Sequence, residues 1–188
     1  MLEKRKNSLR QALTDPEETV RQAAAEALDT LESLQSLEQI MSALDAGVRG
    51  QRVRAIFAME RINSAEVFPP LLKCLNQADA DVRAAAVQVL GRKKNPKTIT
   101  NILRHLKDPH AAVRVFAAEA LGNFSDRRLV PYLAAVLKNQ DGELVRTAVQ
   151  SLGRIGAVEA EEHLLPLLSD PRPTVRRQAA LSLGLLGA

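Results

Sequence analysis

The stretch DPHAAVRVFAAEALG, residues Asp108–Gly122, recurs along the chain and decides the fold. Close copies read DPEETVRQAAAEALD, QADADVRAAAVQVLG and DPRPTVRRQAALSLG, and the starts of these four copies are 62, 31 and 62 residues apart. Two weaker copies fall in the same ungapped frame of 31 residues. A fixed period of this length is typical of repeat architectures. The six copies begin at Asp15, Ala46, Gln77, Asp108, Asn139 and Asp170.

The first half of each repeat has the apolar pattern of one helix. We number the columns of the repeat from 1, counting Asp15 as the first column 1. Columns 6, 10, 13, 14 and 17 are mostly apolar or small, and this spacing of three and four places them on one helical face. The pattern predicts a helix A of about 11 residues. Column 15 is glycine in four copies, which favours a left-handed helix end there: Gly91, Gly122, Gly153 and Gly184.

The second half of each repeat predicts another helix, helix B, with apolar residues in columns 23, 26, 27 and 30. An Asp-Pro pair follows helix B at Asp15, Asp108 and Asp170, where aspartate caps the next helix A and proline is tolerated in its first turn. Neither helix buries its apolar stripe without the neighbouring pair. The sequence therefore predicts an all-α, right-handed solenoid of about six helix pairs.

The frame also predicts the domain organisation, a single repeat domain over residues 1–188. Residues 1–14 fit columns 18–31 and are expected to form a capping helix. No polar cap follows the last helix A, although repeat arrays need caps for solubility. We therefore expect either that the 188 residues belong to a longer protein or that a second copy covers the bare end. The predicted repeats lie near 15–45, 46–76, 77–107, 108–138, 139–169 and, incomplete, 170–188.

Composition limits the class of protein. Hydrophobic residues make up 46 % of the chain and aromatic residues 3 %, and much of the apolar content is the strong helix formers alanine and leucine. The single cysteine, Cys74, excludes an internal disulfide. The sequence has no secretory signal and no apolar run long enough to span a membrane. These features predict a reduced, cytoplasmic protein.

The string D-P-x-x-x-V-R-x-x-A-A-x-A-L-G in the fourth copy, with Val130-Pro131-Tyr132-Leu133 opening helix B, resembles the HEAT-repeat superfamily. More narrowly, it is similar to the short HEAT-like repeats of the phycobilisome-lyase type. The resemblance covers the whole chain and implies that helix A lies on the convex side and helix B lines the concave side. The relatives include scaffolds, chromophore-lyase subunits, an iron hydroxylase and DNA-binding repair proteins. The resemblance thus implies a fold and leaves the function open.

Column 7 is arginine in five copies and indicates a ladder between repeats. A row of arginines also fits phosphate binding, but an aspartate in each turn can cap helix A and accept from an arginine of its own or the adjacent repeat. In the fifth copy Val145 fills the column and Arg146 follows, so we expect an interrupted or re-routed ladder there. The predicted structural ladder consists of Asp15, Arg21, Arg52, Arg83, Asp108, Arg114, Asp170 and Arg176.

No set of residues in the sequence predicts catalysis. The three histidines, His105, His110 and His163, do not form a pattern with three or four metal ligands. Cys74 and His105 share a mainly apolar column, but two residues are too few for a metal site. The His-Glu pairs used by the hydroxylase relatives do not occur, and no glycine-rich phosphate loop is present. We expect no enzyme activity, no metal and no cofactor.

A basic patch is predicted on helix B, where columns 21, 25 and 28 share a face away from the apolar stripe. Residues 91–128 contain 9 Lys and Arg against 3 Asp and Glu, whereas the whole chain carries a net charge of only +4. Such a local surplus attracts acidic surfaces or phosphates, although charge on helical repeats also serves only to solvate them. The candidate partner-binding residues are Lys97, Asn101, Arg104, Arg128 and Tyr132, with Arg92, Lys94 and Arg127 in the adjoining turns.

These observations favour a non-catalytic scaffold that binds a protein partner or a neighbouring domain through helix B. Two alternatives stay open. One is contact with a nucleic-acid backbone through the basic patch, since aromatic residues are too few for base stacking. The other is a subunit resembling a phycobilin lyase. Self-association through the uncapped C-terminal repeat is a further possibility.

Overall fold

The computed structural model describes residues 1–187, which form helices and turns without a strand. Ala188, the last residue of the predicted sixth repeat, lies outside the described residues. The predicted all-α class is confirmed. The α-helices of the described chain are α1 (Leu2–Ala12), α2 (Glu18–Ala46), α3 (Arg49–Ala58), α4 (Phe68–Cys74), α5 (Ala80–Lys93), α6 (Ile99–Arg104), α7 (Ala111–Leu121), α8 (Val130–Ala134), α9 (Gly142–Ile155), α10 (Glu161–Leu164) and α11 (Pro173–Leu183).

The chain divides into two compact units, residues 1–70 and the residues from 71 onward. In the first unit, α1 packs against α2. The buried Lys6 donates its Nζ to Oε1 of Gln35 at 2.5 Å, and Arg10 pairs with Glu32 at 3.1 Å. These two polar contacts hold the predicted capping helix on its neighbour.

The first repeat differs from the prediction because α2 is one continuous helix of 29 residues. Column 15 is Asp29 in this repeat, and no glycine or proline occurs between residues 17 and 46. Without a residue that ends a helix, the predicted helix A and helix B merge. The predicted break between two helices within residues 15–45 is therefore wrong.

The second unit contains the regular part of the repeat. Helices α5, α7, α9 and α11 are its helix A segments, and each packs against the next. Their column 14 leucines are fully buried in three successive repeats: Leu90, Leu121 and Leu152. Burying one such side chain stabilises the fold by about 1.5–3 kcal/mol. The predicted apolar face of helix A is thus the core of this unit.

The helix B segments of the second unit are short and begin with a 3-10 turn. The turns Pro96–Thr98, Arg127–Leu129 and Val158–Ala160 precede α6, α8 and α10. In the first two turns an acceptor side chain fixes the start, since Asn95 accepts from the backbone N–H of Lys97 and Asp126 accepts from that of Arg128. These turns position the residues of the predicted basic patch.

The column 15 glycines do not end helices in a left-handed conformation, so that prediction is wrong. Gly91 and Gly153 lie inside α5 and α9, and Gly122 and Gly184 have φ values of −64° and −69°. Glycine is needed for another reason. A Cβ placed on Gly122 would lie 2.5 Å from Oγ and 2.8 Å from Cα of Ser151, in the next repeat.

The same close approach recurs in the neighbouring repeats. A Cβ on Gly91 would lie 2.5 Å from Cβ of Ala120, and a Cβ on Gly153 would lie 2.6 Å from Oγ of Ser182. In each case a glycine in column 15 meets a small residue in column 13 of the following repeat. Successive helix A segments therefore approach more closely than a side chain in column 15 would permit.

Two of these small residues also bond the repeats together. The buried hydroxyls of Ser151 and Ser182 donate to the backbone carbonyls of Ala118 and Val149, at 2.8 Å and 2.9 Å. Both carbonyls belong to column 11 of the preceding repeat. A buried hydroxyl needs such a partner, and here the partner also fixes the spacing of adjacent helices.

Candidate functional site

One rung of the predicted ladder is a complete ion pair between repeats. The guanidinium of Arg83 donates from Nε and Nη2 to the two carboxylate oxygens of Asp108, at 2.8 Å and 2.9 Å. Its Nη1 donates to the carbonyls of Gln77 and Ala78 at 2.8 Å each. Burial alone would raise the pKa of Asp108, but hydrogen bonds from Arg83 and from the backbone of His110 hold that pKa below its ordinary value.

Most other column 7 arginines brace the turn of their own repeat. Arg21, Arg114 and Arg176 each donate from Nη1 to the carbonyls of the Asp-Pro pair that precedes them, at 2.7–3.1 Å. Arg52 is half-buried on α3. These arginines fix the turns, and in each of the three the backbone carbonyls accept from Nη1.

The fifth repeat has no inter-repeat rung. Val145 is buried, and Arg146 pairs instead with Glu143 on its own helix at 2.5 Å. Because column 7 of the fifth repeat is Val145, the preceding repeat offers no arginine in that column to Asp170. Asp170 pairs instead with Arg172 at 2.9 Å. The side-chain hydrogen bond from Arg172 is the main cause that lowers the pKa of Asp170 to about 2. These two ion pairs each join residues of a single repeat.

Arg114 lacks the two-point ion pair that Arg83 forms one repeat earlier. Its Nε is buried and has no hydrogen-bond acceptor, and its Nη2 lies 3.6 Å from Oδ2 of Asp141. Asn139 stands in column 1, where Asp108 stands one repeat earlier. Oδ1 of Asn139 accepts from the backbone of Asp141 at 2.9 Å, as Asp108 does from His110. The remaining amide group of Asn139 can only donate, so it cannot satisfy Arg114.

We expect the substitution Asn139→Asp to complete this rung and to raise the free energy of unfolding by about 1 kcal/mol at neutral pH, because a carboxylate supplies the acceptor that Arg114 lacks. Chemical denaturation measures the change. The exposed Asn63 provides the control, since Asn63→Asp makes the same chemical change away from any rung. Equal stabilities for N139D and the unaltered chain would contradict the expectation.

The structure separates the residues of the predicted basic patch into two groups. In the first group, two of the arginines lie next to carboxylates of the chain. Arg128 donates to both oxygens of Asp126 at 2.7–3.1 Å, and this hydrogen bonding lowers the pKa of Asp126. Nη1 of Arg127 lies 3.7 Å from Oε1 of Glu159. Arg92 is exposed near the end of α5.

The second group consists of exposed cations that form no ion pair with any residue in 1–187. Lys94 follows α5 with a φ of 50°, Lys97 lies in the 3-10 turn before α6, and Arg104 is the last residue of α6. Two turns and one short helix thus place these three positive charges on the third repeat, where Lys107 is exposed as well.

Two uncharged side chains in column 25 accompany these cations. Asn101 on α6 is half-buried, and its side-chain amide has no hydrogen bond within the described chain. Tyr132 on α8 is 52 % exposed although its ring is large and mainly apolar. An available amide and an exposed aromatic ring are groups that protein interfaces use. We call Lys94, Lys97, Asn101, Arg104 and Tyr132 the helix B surface.

The histidine and cysteine of column 29 are internal to the fold. The ring nitrogens of His105 lie 2.9 Å from the carbonyl oxygen of Asn101 and 3.0 Å from that of Leu75, and Cys74 is buried. Within residues 1–187, no three His, Cys, Asp or Glu side chains are placed to share a metal ion. Over the same residues, no helix has the length and apolar character needed to cross a membrane.

The stacked helix pairs define an α-helical repeat protein, and the family within that class is shown by the sequence. The HEAT repeats family model matches residues 37–108, 68–152 and 99–184, and the HEAT repeat model matches residues 7–42. The chain belongs to the HEAT repeat family. The predicted resemblance to this superfamily is thereby confirmed. No curated protein matches the sequence.

Solved structures with a similar fold include natural and designed repeat proteins. The complex of CpcE and CpcF of phycocyanin lyase from Nostoc sp. PCC7120 matches with a TM-score of 0.71 and 23% identity, over 80% of this chain and 65% of that chain. The chain therefore spans less than two thirds of that relative. YibA of Escherichia coli matches with a TM-score of 0.65 and 21% identity, over 97% of this chain and 72% of that chain.

A designed armadillo repeat protein in complex with the peptide (KR)4 is also similar. It matches with a TM-score of 0.58 and 19% identity, over 95% of this chain and 98% of that chain. At such identities the similarity shows the fold of helical repeats. It supports the fold class and does not identify a ligand of this chain.

Proposed function

We propose that the chain is a non-catalytic binding module whose helix B surface binds an acidic segment of a partner protein. The observation that carries the proposal is the group of exposed cations Lys94, Lys97 and Arg104, which have no carboxylate partner in the described chain. In the next repeat, by contrast, both basic residues of the corresponding turn face carboxylates. Unpaired positive charge on one repeat attracts a negatively charged ligand.

The uncharged residues of the helix B surface favour a protein ligand. Tyrosine and arginine are enriched among the residues that dominate binding energy at protein interfaces, and Tyr132 and Arg104 are both exposed. The amide of Asn101 offers a donor and an acceptor to a peptide backbone. The designed armadillo relative that holds a basic (KR)4 peptide supports the binding mode, and the positive charge of this chain favours a peptide of opposite sign.

Contact with nucleic acid is the second candidate, because the same cations fit phosphates. About three phosphate contacts would give a logarithmic salt slope near −3, which is small for a dedicated duplex binder. Titration of a labelled DNA duplex at two salt concentrations tests this candidate. A slope much steeper than that value would favour nucleic acid over an acidic peptide.

A subunit resembling a phycobilin lyase is the third candidate, and it rests on the structural similarity to the phycocyanin lyase complex. Absorbance spectra of a bilin with and without the chain test it directly. Unchanged spectra would remove this candidate and would leave the acidic-segment proposal untouched.

We expect the double substitution Lys97→Glu and Arg104→Glu to weaken binding of a labelled, glutamate-rich peptide by about tenfold or more, because it replaces attraction with repulsion. Fluorescence anisotropy measures the affinity. Lys138→Glu with Arg177→Glu is the matched control, since this lysine and this arginine are exposed and lie in other repeats, outside the helix B surface. Tyr132→Ala, which keeps the net charge, should also weaken binding. Equal affinities for all variants, each with unchanged helicity, would contradict the proposal.

A further inference from the structure

The helix B segments of the second unit carry charges of opposite sign in the third and fifth repeats. Columns 21, 24, 25 and 28 share one face of helix B, because their spacings of three and four keep the side chains on one side. In the third repeat this face carries the cations Lys97 and Arg104, and in the fifth repeat it carries Glu159 and Glu162. All four side chains are exposed. The exposed ring of Tyr132 lies in the fourth repeat, between the two charged groups.

The positive part of this face extends into the second repeat through Lys73. This lysine occupies column 28 in α4, as Arg104 does in α6, and it is exposed and belongs to the second unit. Nε2 of His105 lies 3.0 Å from the carbonyl oxygen of Leu75, which brings the ends of these two helix B segments together. Lys73 therefore adds to the positive potential around Arg104. We call Lys73, Lys97 and Arg104 the basic end of the face.

The two glutamates form the acidic end of the same face. Oε1 of Glu159 lies 3.7 Å from Nη1 of Arg127, and the side chain of Glu159 is 59% exposed. Oε1 of Glu162 lies 3.5 Å from Nε2 of His163, and the side chain of Glu162 is 78% exposed. Exposed pairs of this length contribute little to stability, so both carboxylates stay accessible to a ligand. They line one groove of about 420 Å³ together with exposed apolar side chains.

The fourth repeat supplies the uncharged part of the face. Its columns 25 and 28 are Tyr132 and Ala135, and both are exposed. Its column 21 is Arg128, which pairs with Asp126 two residues earlier at 2.7 Å. Neighbouring helices pack about 8–10 Å apart, and an extended peptide covers that distance in about three residues. A segment of about nine residues therefore reaches from the basic end across Tyr132 to the acidic end.

We propose, on the basis of the function proposed above, that the helix B surface selects a partner segment whose charge is polarised along its length. The acidic residues of the segment bind at the basic end, a central apolar residue packs on Tyr132, and basic residues bind at the acidic end. The occupant is thus a peptide segment with acidic and basic residues in separate blocks. Complementary charge at both ends of the face favours this occupant.

The acidic end supplies the repulsion on which selection depends. A uniformly acidic segment that spans three repeats is attracted at the basic end and repelled at the acidic end. A polarised segment is attracted at both ends. A polarised segment is therefore favoured over one of the same composition whose charges alternate, and its acidic block is always directed towards the third repeat.

Two peptides of identical composition test this selection on the full chain. The block peptide has about four glutamates, a central phenylalanine and about four lysines in that order, and the alternating peptide has the same residues with the charges interleaved. We expect the block peptide to bind at least about fivefold more tightly at low salt, as measured by fluorescence anisotropy. The glutamate-rich peptide is measured beside them as the reference for the proposed function.

The double substitution Glu159→Lys and Glu162→Lys tests the role of the acidic end. We expect this variant to lose the preference for the block peptide and to bind the glutamate-rich peptide at least about threefold more tightly than the unaltered chain does, because repulsion is replaced with attraction. Glu26→Lys with Glu119→Lys is the matched control. Both of these glutamates are exposed in column 12, outside helix B, so the control should keep the preference.

The outcomes separate this proposal from the proposed function. Equal affinities of the unaltered chain for the block and alternating peptides would overturn the selection of polarised segments. So would a preference that persists in the variant with a reversed acidic end, or one that is lost in the control. In each of these cases, binding of the glutamate-rich peptide leaves the proposed function in place. If neither the glutamate-rich nor the block peptide binds, the proposed function itself is contradicted.

Discussion

Replacing Gly122 with alanine is expected to lower the free energy of unfolding by about 3 kcal/mol, because there is no room for a methyl group between the fourth and fifth repeats. The new Cβ would lie 2.5 Å from Oγ and 2.8 Å from Cα of Ser151. Relief requires α7 and α9 to separate, and this would also break the hydrogen bond from Ser151 to Ala118. Chemical denaturation followed by circular dichroism measures the loss.

Gly50 provides a matched control for that substitution. It lies in α3, and nothing lies within 4 Å of a Cβ placed there. Gly50→Ala should raise stability by about 0.5 kcal/mol, since alanine loses less conformational freedom than glycine on helix formation. The same substitution is thus expected to lower the free energy of unfolding at Gly122 and to raise it at Gly50. A Gly122→Ala variant as stable as the unaltered chain would contradict the close-packing account.

The substitution Asp108→Asn is expected to destabilise the protein by about 3 kcal/mol, because it leaves the guanidinium of Arg83 largely buried without its carboxylate. The two side chains are only 12% and 5% exposed, so water does not replace the lost partner. The unaltered chain already contains such an asparagine one repeat later, because Asn139 follows Arg114 in the column where Asp108 follows Arg83. There Nε of the guanidinium has no acceptor. D108N and N139D therefore make opposite changes to equivalent rungs.

The pH dependence of D108N tests the cause of its destabilisation. The pKa of Asp108 is lowered in the folded chain, so the unfolded carboxyl binds its proton more readily and protonation favours unfolding. The stability that the pair contributes is therefore full above the ordinary aspartate pKa, near about 4, and is lost as the pH falls further. We expect the difference between D108N and the unaltered chain to shrink over that acid range. A difference that does not depend on pH would assign the effect to packing rather than to charge.

The sequence predicts the helix pairs well because each apolar column repeats at a helical spacing that is local in the chain. It does not predict α2, since the repeat frame places a turn near Asp29 whereas the residues there lack any helix-ending signal. The role of the column 15 glycines depends on the distance between repeats, which periodicity does not contain. A signal was nevertheless present, because column 13 of the next repeat is small each time: Ala120, Ser151 and Ser182.

The candidate site is predictable in the same partial way. Helix B columns correctly place Lys97, Arg104 and Tyr132 at exposed positions. The charge count over residues 91–128 does not show which cations have carboxylate partners. Asp126 lies two residues before Arg128 and its role in the turn could have been read from the sequence, but the pairing of Arg127 with Glu159 joins different repeats and requires the fold.

The central claim is that the helix B surface is the binding site, and chemical-shift mapping tests it most directly. An isotope-labelled chain titrated with a glutamate-rich peptide reports each backbone amide separately. We predict shifts concentrated at residues 94–104 and around Tyr132, with the amides of α1 and α11 unchanged. Shifts that are absent, or that fall mainly outside the helix B surface, would contradict the account.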